Sequence, residues 1–303
     1  MRRAALAALG PLNGSVVVVD PRSGRILSVV NQDLAFTESF TPCSTIKIFV
    51  GLAGLSEAVI DRTMEVRVGR RTSLNLTEAL ARSDNPYFQV VGTQLGFDRV
   101  SYYARLFGLG ERATTSGREI PGVIASAPPD GVGYLSSHGH GVKLSPLQLA
   151  AAMSAIANGG TLYHLQYPES QTEAARLVPR VKRHIEVERL LPEVKPGLMA
   201  AVEEGTARRA GFDPDEPIYG KTGTCTDRDT PTHLGWFGSF NEVDSRSLVV
   251  VVLLTGGAPI NGPVASGVAG RVYRNLSEHG YYGQPRPVSP VALVETTSGF
   301  GQP

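Results

Sequence analysis

Two runs of β-branched residues stand near opposite ends of this 303-residue chain, and they constrain its fold more than anything between them. The first is Gly14–Asp20, with Val16, Val17, Val18 and Val19 in a row; the second is Ser247–Thr255, with Leu248 to Leu254 unbroken by a polar side chain. Both are strand-length, and neither is long enough to cross a bilayer. Arg25–Val30 repeats the first pattern after Asp20-Pro21-Arg22-Ser23-Gly24, a turn sequence, so the N-terminal runs read as a hairpin. Ile218–Thr224 and His233–Phe240 are further candidate strands. The simplest closure sets the hairpin beside these C-terminal strands in one antiparallel sheet.

The middle of the chain reads as helical. Ile46, Ile48, Phe49, Val50, Leu52 and Leu55 form a buried helical run, and Thr77–Arg82 is a short helix. Pro86–Leu95 follows, with Asn85 as its N-cap and Pro86 in its first turn. Phe97–Leu106 reads as another helix, and Arg112–Ser137, rich in Gly, Pro and Ser, as a long loop. The clearest helix begins at Ser145-Pro146 and stops at Gly159-Gly160. Pro196–Ala210 and Val264–Glu278 are also helical by pattern. The expected architecture is an α/β fold of the α+β type: a central antiparallel sheet of about five strands, flanking helices and an inserted helical lobe. The α/β lobe takes residues 14–50 and 215–280 and the helical lobe 51–214, with tails at 1–13 and 281–303. A cleft between the lobes is the expected place for a site.

Composition narrows the class. The chain is 42% hydrophobic and 19% charged, in the range of a globular enzyme. Its net charge of +1 offers no basic excess for nucleic acid. Met1–Gly10 resembles a signal peptide only superficially, because its apolar region is too short. Either the protein works in the cytoplasm or an export segment lies outside this chain.

Three short stretches carry chemistry. Ser44 and Lys47 fall one turn apart where a loop enters a helix, a hydroxyl beside an amine. On that stretch alone, a helix cap and a solvated lysine explain as much. Ser83-Asp84-Asn85 lies at a helix–helix junction, where side chains can point inward without following a helical stripe. Lys221-Thr222-Gly223 lies in a candidate strand. The same three patterns in this order belong to penicillin-binding proteins and serine β-lactamases.

On these residues the chain resembles the transpeptidase domain of penicillin-binding proteins, from about Gly14 to about Gly280. Glu78–Phe88, Phe107–Glu111, Leu144–Ala150, Ala157–Gly160, Val202–Thr206, Gly220–Thr224 and Gly235–Gly238 are similar to that family too. The resemblance implies a β-lactamase/transpeptidase-like fold and an acyl-enzyme on Ser44. It implies Lys47 as base, Ser83 as proton relay, and Asn85 as holder of Lys47 and the substrate amide. Lys221 assists, and Lys221, Thr222, Gly223 and Thr224 receive the substrate carboxylate. The backbone N–H groups of Ser44 and Thr224 form the oxyanion hole. Asp84 is given no chemical role.

That oxyanion hole would bring the neighbours Cys43 and Cys225 together. Some serine β-lactamases place a disulfide at these two positions, so a Cys43–Cys225 bond is expected, with two small buried thiols as the alternative. A bond would favour an exported protein.

The implied function is a D,D-transpeptidase or D,D-carboxypeptidase acting on D-alanyl-D-alanine stem peptides of peptidoglycan and acylated by β-lactams, outside the cytoplasm. Other cell-wall synthesis proteins are possible partners, and no cofactor, metal or nucleic acid is expected. The alternatives are a serine β-lactamase and a β-lactam sensor that does not turn over. Pro42–Ile48 is also reminiscent of β-lactamases and sensors in which the lysine can be carbamylated. A β-lactamase needs a base for water, and Glu119 in Gly117–Gly122 is the tempting residue; a loop role is favoured for it. A phosphate loop at Gly220-Lys221-Thr222 would need a glycine where Asp215 stands. His138-Gly139-His140 could join a third histidine on a metal, but two histidines in a Gly-rich loop are more often solvated.

Overall fold

The two valine runs pair. Val16, Val17, Val18 and Val19 of β1 (Gly14–Asp20) lie opposite Val252, Val251, Val250 and Val249 in an antiparallel ladder. The computed structural model describes residues 1–227, 229–243 and 246–283. In chain order, α1 (Arg2–Leu9) precedes β1, and β2 (Arg25–Val30) completes the hairpin. Asp20 makes the turn, accepting from Arg22 N and Ser23 Oγ. After α2 (Gln32–Phe36), a 3-10 turn (Cys43–Ile46) runs into α3 (Lys47–Ser56). The short ribbon β3 (Val66–Arg67)–β4 (Ser73–Leu74), then α4 (Leu76–Arg82) and α5 (Asn85–Leu106), follow.

The stretch expected as one long loop contains β5 (Val123–Ile124) and α6 (Val132–His138). The glycines at 131, 133 and 139 concealed this helix, although Gly131 and Gly139 serve as its two ends. Next come β6 (Val142–Lys143), α7 (Pro146–Ala157), β7 (Thr161–His164), α8 (Gln171–Ala175), β8 (Arg180–His184) and α9 (Leu191–Glu203). α7 starts as its sequence predicts, with a reciprocal Ser145–Gln148 capping box and Pro146 in the first turn. α9 begins earlier than expected and carries Pro196 inside it. The chain closes with β9 (Ile218–Thr226), β10 (His233–Val243), β11 (Arg246–Gly256) and α10 (Gly262–Glu278).

The five-stranded sheet has the order β2-β1-β11-β10-β9, with its described neighbours antiparallel. Alternate side chains divide between two cores. Val17, Val19, Trp236, Phe240, Val249, Val251 and Leu253 face α7 and share one core with apolar residues of α3 and α5. Val16, Val18, Phe237, Val250, Val252 and Leu254 face α1, α10 and the end of α9. A sheet covered on both faces has no polar side to expose, so its strands read as unbroken apolar runs.

Further boundaries differ from expectation. Residues 1–13 are not a bare tail: α1 buries Ala4, Ala5, Ala8 and Leu9, and Arg271 of α10 donates to Ala8 O. The cap of α5 is Asp84, whose carboxylate accepts from Tyr87 N at 2.7 Å, and not Asn85. α5 also joins the two expected helices across Gly96, whose φ of 77° breaks the helical path. Residues 284–303 of the expected C-terminal tail lie outside the described residues. Among the described residues no helix is long and apolar enough to cross a membrane.

Candidate active site

Ser44 sits in the 3-10 turn that leads into α3, and three clamps hold the backbone just before it. Cys43 is bonded to Cys225 of β9, with S–S 1.97 Å and Cα–Cα 5.6 Å. The Trp236 indole donates to Thr41 O at 2.9 Å. Thr41 donates through N and Oγ1 to the Asp227 carboxylate, which also accepts from Lys143 Nζ at 2.7 Å. Burial works against the Asp227 charge, but the Lys143 ammonium and the backbone donors outweigh it and hold its pKa below the ordinary carboxylate range. The clamp holds Cys43 at φ 51°, a left-handed conformation that costs a non-glycine residue about 1–3 kcal/mol.

Lys47 opens α3 and is fully buried. Its Nζ donates to Ser83 O at 2.6 Å and to Asn85 Oδ1 at 2.5 Å, and lies 3.2 Å from Ser83 Oγ. These contacts follow from the α4–α5 junction. Ser83 ends α4 in the left-handed region, φ 57°, which turns both its carbonyl and its hydroxyl toward the lysine. Because Asp84 supplies the cap, the Asn85 side chain is left to point inward. Burial pushes the Lys47 amine down to about 7, against the pull of the Asp84 carboxylate.

β9 is the edge strand beside this cluster. Its alternation sends Lys221, Gly223 and Cys225 toward Lys47 and the Ser44 turn, and Thr222 and Thr224 toward α10. A Cβ on Gly223 would stand 3.0 Å from Pro42 O and 3.2 Å from Cys43 Cβ, so a side chain there would press the two segments apart by a few tenths of an ångström. Lys221 is fully buried; burial, and next the Lys47 charge, pull its amine far below the ordinary lysine range. Thr222 Oγ1 lies 2.6 Å from Thr206 Oγ1, and Gly262 N donates to Thr224 Oγ1 at 2.8 Å.

Ser44, Lys47, Ser83, Asn85 and Lys221 to Thr224 are thus gathered from three remote stretches around one end of the sheet. Ser44 Oγ itself is turned toward Ser137 O, 3.5 Å away, rather than hydrogen-bonded to Lys47.

Several residues of the cluster were not singled out from the sequence as part of it. Ser137 and His138, at the end of α6, close the side opposite β9: Asn85 Nδ2 is 3.3 Å from His138 Nε2. Their one signal was His138-Gly139-His140, weighed only as a metal pair. His140 instead faces Asp130 at 3.0 Å, and among the described residues no group of three or more His, Cys, Asp or Glu could hold a metal ion. Thr206 lies within the Val202–Thr206 stretch, whereas Lys143 and Asp227 carried no signal. Glu119 is buried and accepts from Ala113 N, Thr114 N and Thr114 Oγ1 at 2.6–2.8 Å, the loop role favoured for it.

Residues 14–278 match the family described as penicillin binding protein transpeptidase domain. The chain belongs to that family. It is 28% identical over 311 residues to stage V sporulation protein D of Bacillus subtilis, covering 88% of this chain and 48% of that protein. It is 24% identical over 342 residues to the peptidoglycan D,D-transpeptidase PbpA of Mycobacterium tuberculosis, covering 91% of this chain and 68% of that protein. The chain thus spans about half the length of the first of these relatives, 48%.

Solved structures share the fold. The crystal structure of Pseudomonas aeruginosa PBP2 in complex with WCK 5153 superposes with a TM-score of 0.77 at 21% identity, covering 94% of this chain and 76% of that one. That of a peptidoglycan glycosyltransferase from Burkholderia ambifaria superposes with a TM-score of 0.78 at 19% identity, covering 94% and 96%.

Proposed function

We propose that this chain is the acyl-transferring domain of a peptidoglycan D,D-transpeptidase, working through an acyl-enzyme on Ser44 that β-lactams also form. The observation that carries this reading is the contact set of Lys47 Nζ. A neutral amine has two N–H groups and one lone pair. Two carbonyl oxygens, Ser83 O and Asn85 Oδ1, take the two N–H groups, which leaves the lone pair for a hydroxyl. With a pKa of about 7, a large share of the amine is neutral at neutral pH.

Ser44 Oγ attacks the carbonyl carbon of the penultimate D-alanine, and its proton passes to Lys47. The backbone N–H groups of Ser44 and Thr224 receive the oxyanion. Ser83, which lies against Lys47, passes a proton to the leaving nitrogen; the C–N bond breaks and D-alanine departs. An acceptor amine attacks the ester carbonyl and frees Ser44; with water as the acceptor, the same step is carboxypeptidation. Lys221, Thr222, Gly223 and Thr224 bind the terminal carboxylate, whose negative charge would raise the Lys221 pKa again and favour its ammonium.

Two relatives' descriptions, as peptidoglycan D,D-transpeptidases of Mycobacterium tuberculosis and Haemophilus influenzae, support the substrate class. The disulfide supports work outside the cytoplasm. Glu119, whose carboxylate is engaged by loop donors, is poorly suited to activate water in a β-lactamase.

Intact-mass measurement with benzylpenicillin tests the reading. A lasting adduct that disappears in Ser44→Ala supports it, and D-alanine release from a stem-peptide mimic separates enzyme from sensor. Rapid catalytic clearance of the drug would instead make this a β-lactamase.

A further inference from the structure

The hydrogen bonds around His138 form a directed chain that ends on the Lys47 amine. Ser137 Oγ donates its one proton to Gly133 O at 2.7 Å and accepts from Gln89 Nε2 at 3.3 Å. It therefore meets His138 Nδ1, 2.7 Å away, as an acceptor, and Nδ1 carries the ring proton. In that tautomer His138 Nε2 accepts from Asn85 Nδ2 at 3.3 Å. With its N–H group so placed, the Asn85 amide turns its oxygen to Lys47 Nζ at 2.5 Å.

The ring has little freedom to leave this arrangement. Tyr134 stacks on His138 with centroids 5.2 Å apart, and His140 lies 5.5 Å away. The next residue, Gly139, has φ 75° and packs so tightly on Pro42 that a Cβ would stand 2.5 Å from Pro42 Cγ.

We infer that His138 is a positioning residue for acyl transfer: its Nδ1–H tautomer sets the direction of the Asn85 amide and so keeps the lone pair of Lys47 available to Ser44. The inference rests on the functional reading above. In the opposite tautomer, Ser137 O–H would donate to Nδ1 and Nε2–H to Asn85. The amide would then turn over and present an N–H to Lys47 Nζ. That contact occupies the lone pair of a neutral amine and opposes an ammonium, so either state of the lysine loses its role as base.

Two measurements test this on the whole chain. Two-bond proton–nitrogen correlation of the imidazole rings, with His138 assigned by loss of its signal in His138→Gln, reads the tautomer at neutral pH. Nδ1–H is expected, and Nε2–H overturns the inference. Second-order acylation by benzylpenicillin is then compared across variants of matched thermal stability. His138→Phe keeps a ring on Tyr134 but no acceptor, and is expected to react about tenfold more slowly. His138→Gln, whose amide can accept from Asn85, is expected to recover to within about threefold of wild type. Equal rates for wild type and His138→Phe overturn the proposal while leaving the functional reading intact. If wild type itself fails to acylate, the functional reading falls and His138's role in acyl transfer falls with it.

Discussion

Cys43 and Cys225 tie the residue before Ser44 to the residue after Thr224, with their Cα atoms 5.6 Å apart. The bond therefore spans the two segments whose N–H groups are proposed to hold the oxyanion. It also closes a sequence separation of 182, long enough for a loop-entropy contribution of about 5 kcal/mol, of which disulfides typically deliver 2–4. The double variant Cys43→Ala/Cys225→Ala should lose about 2–4 kcal/mol in urea unfolding. Acylation by benzylpenicillin should slow as well, because Cys43→Ala is then free to leave φ 51°. An unchanged acylation rate in folded double variant would show that the other two clamps suffice.

Lys47 should make both acylation and stability depend on pH. The rate should climb through about pH 7 as the neutral amine accumulates. For stability the sign is positive. The folded pKa of about 7 lies below the unfolded 10.5, so across that window the unfolded chain holds the extra proton and stability rises with pH. The full span is worth about 5 kcal/mol. Wild type should therefore gain on Lys47→Met between pH 7 and 10, while Lys47→Met is the more stable at pH 6 and does not acylate. Parallel stability curves for the two proteins would refute the burial argument.

Asp227 should confer acid sensitivity. Its folded pKa is depressed, so its contribution is present above the unfolded carboxylate pKa of 3.8 and is lost as pH falls through the folded value. At neutral pH, Asp227→Asn should cost about 1–3 kcal/mol, discounted because Lys143 is 23% exposed. Denaturation series at pH 7 and pH 3 check this: the gap between wild type and variant should narrow at the lower pH.

Glu119→Gln should destabilise the chain by about 1–3 kcal/mol, because the loop donors of Ala113 and Thr114 lose a charged acceptor. The half-life of the benzylpenicillin adduct should not change. A longer half-life in Glu119→Gln would mean that this carboxylate activates water after all.

Gly223→Ala should cut acylation by about tenfold, through displacement of the edge strand. The added Cβ pushes β9 away from Pro42 and Cys43. Acylation kinetics alongside thermal unfolding separate this from a loss of stability.

Much of this molecule is legible locally. The strands of the sheet announce themselves as valine runs, because burial on both faces removes polar alternation. α7 announces itself through Ser145, Pro146 and Gln148. α6 does not, since Gly131, Gly133 and Gly139 resemble a loop until two of them are seen to end a helix. The Asp84 and Asn85 assignment turned on one bond, Tyr87 N to Asp84 Oδ1, that either side chain could have made by spacing alone.

The candidate site divides in the same way. Ser44, Lys47, Ser83, Asn85 and Lys221 to Thr224 could be proposed from the linear order, because each lies in a short pattern of fixed spacing. Their surroundings could not: Asn85 meets His138 from 53 positions away, and Lys143 meets Asp227 from 84. Local periodicity says which face of an element is buried, but the direction of an amide and the partner of a buried charge are settled only when remote elements dock and every enclosed donor must find an acceptor.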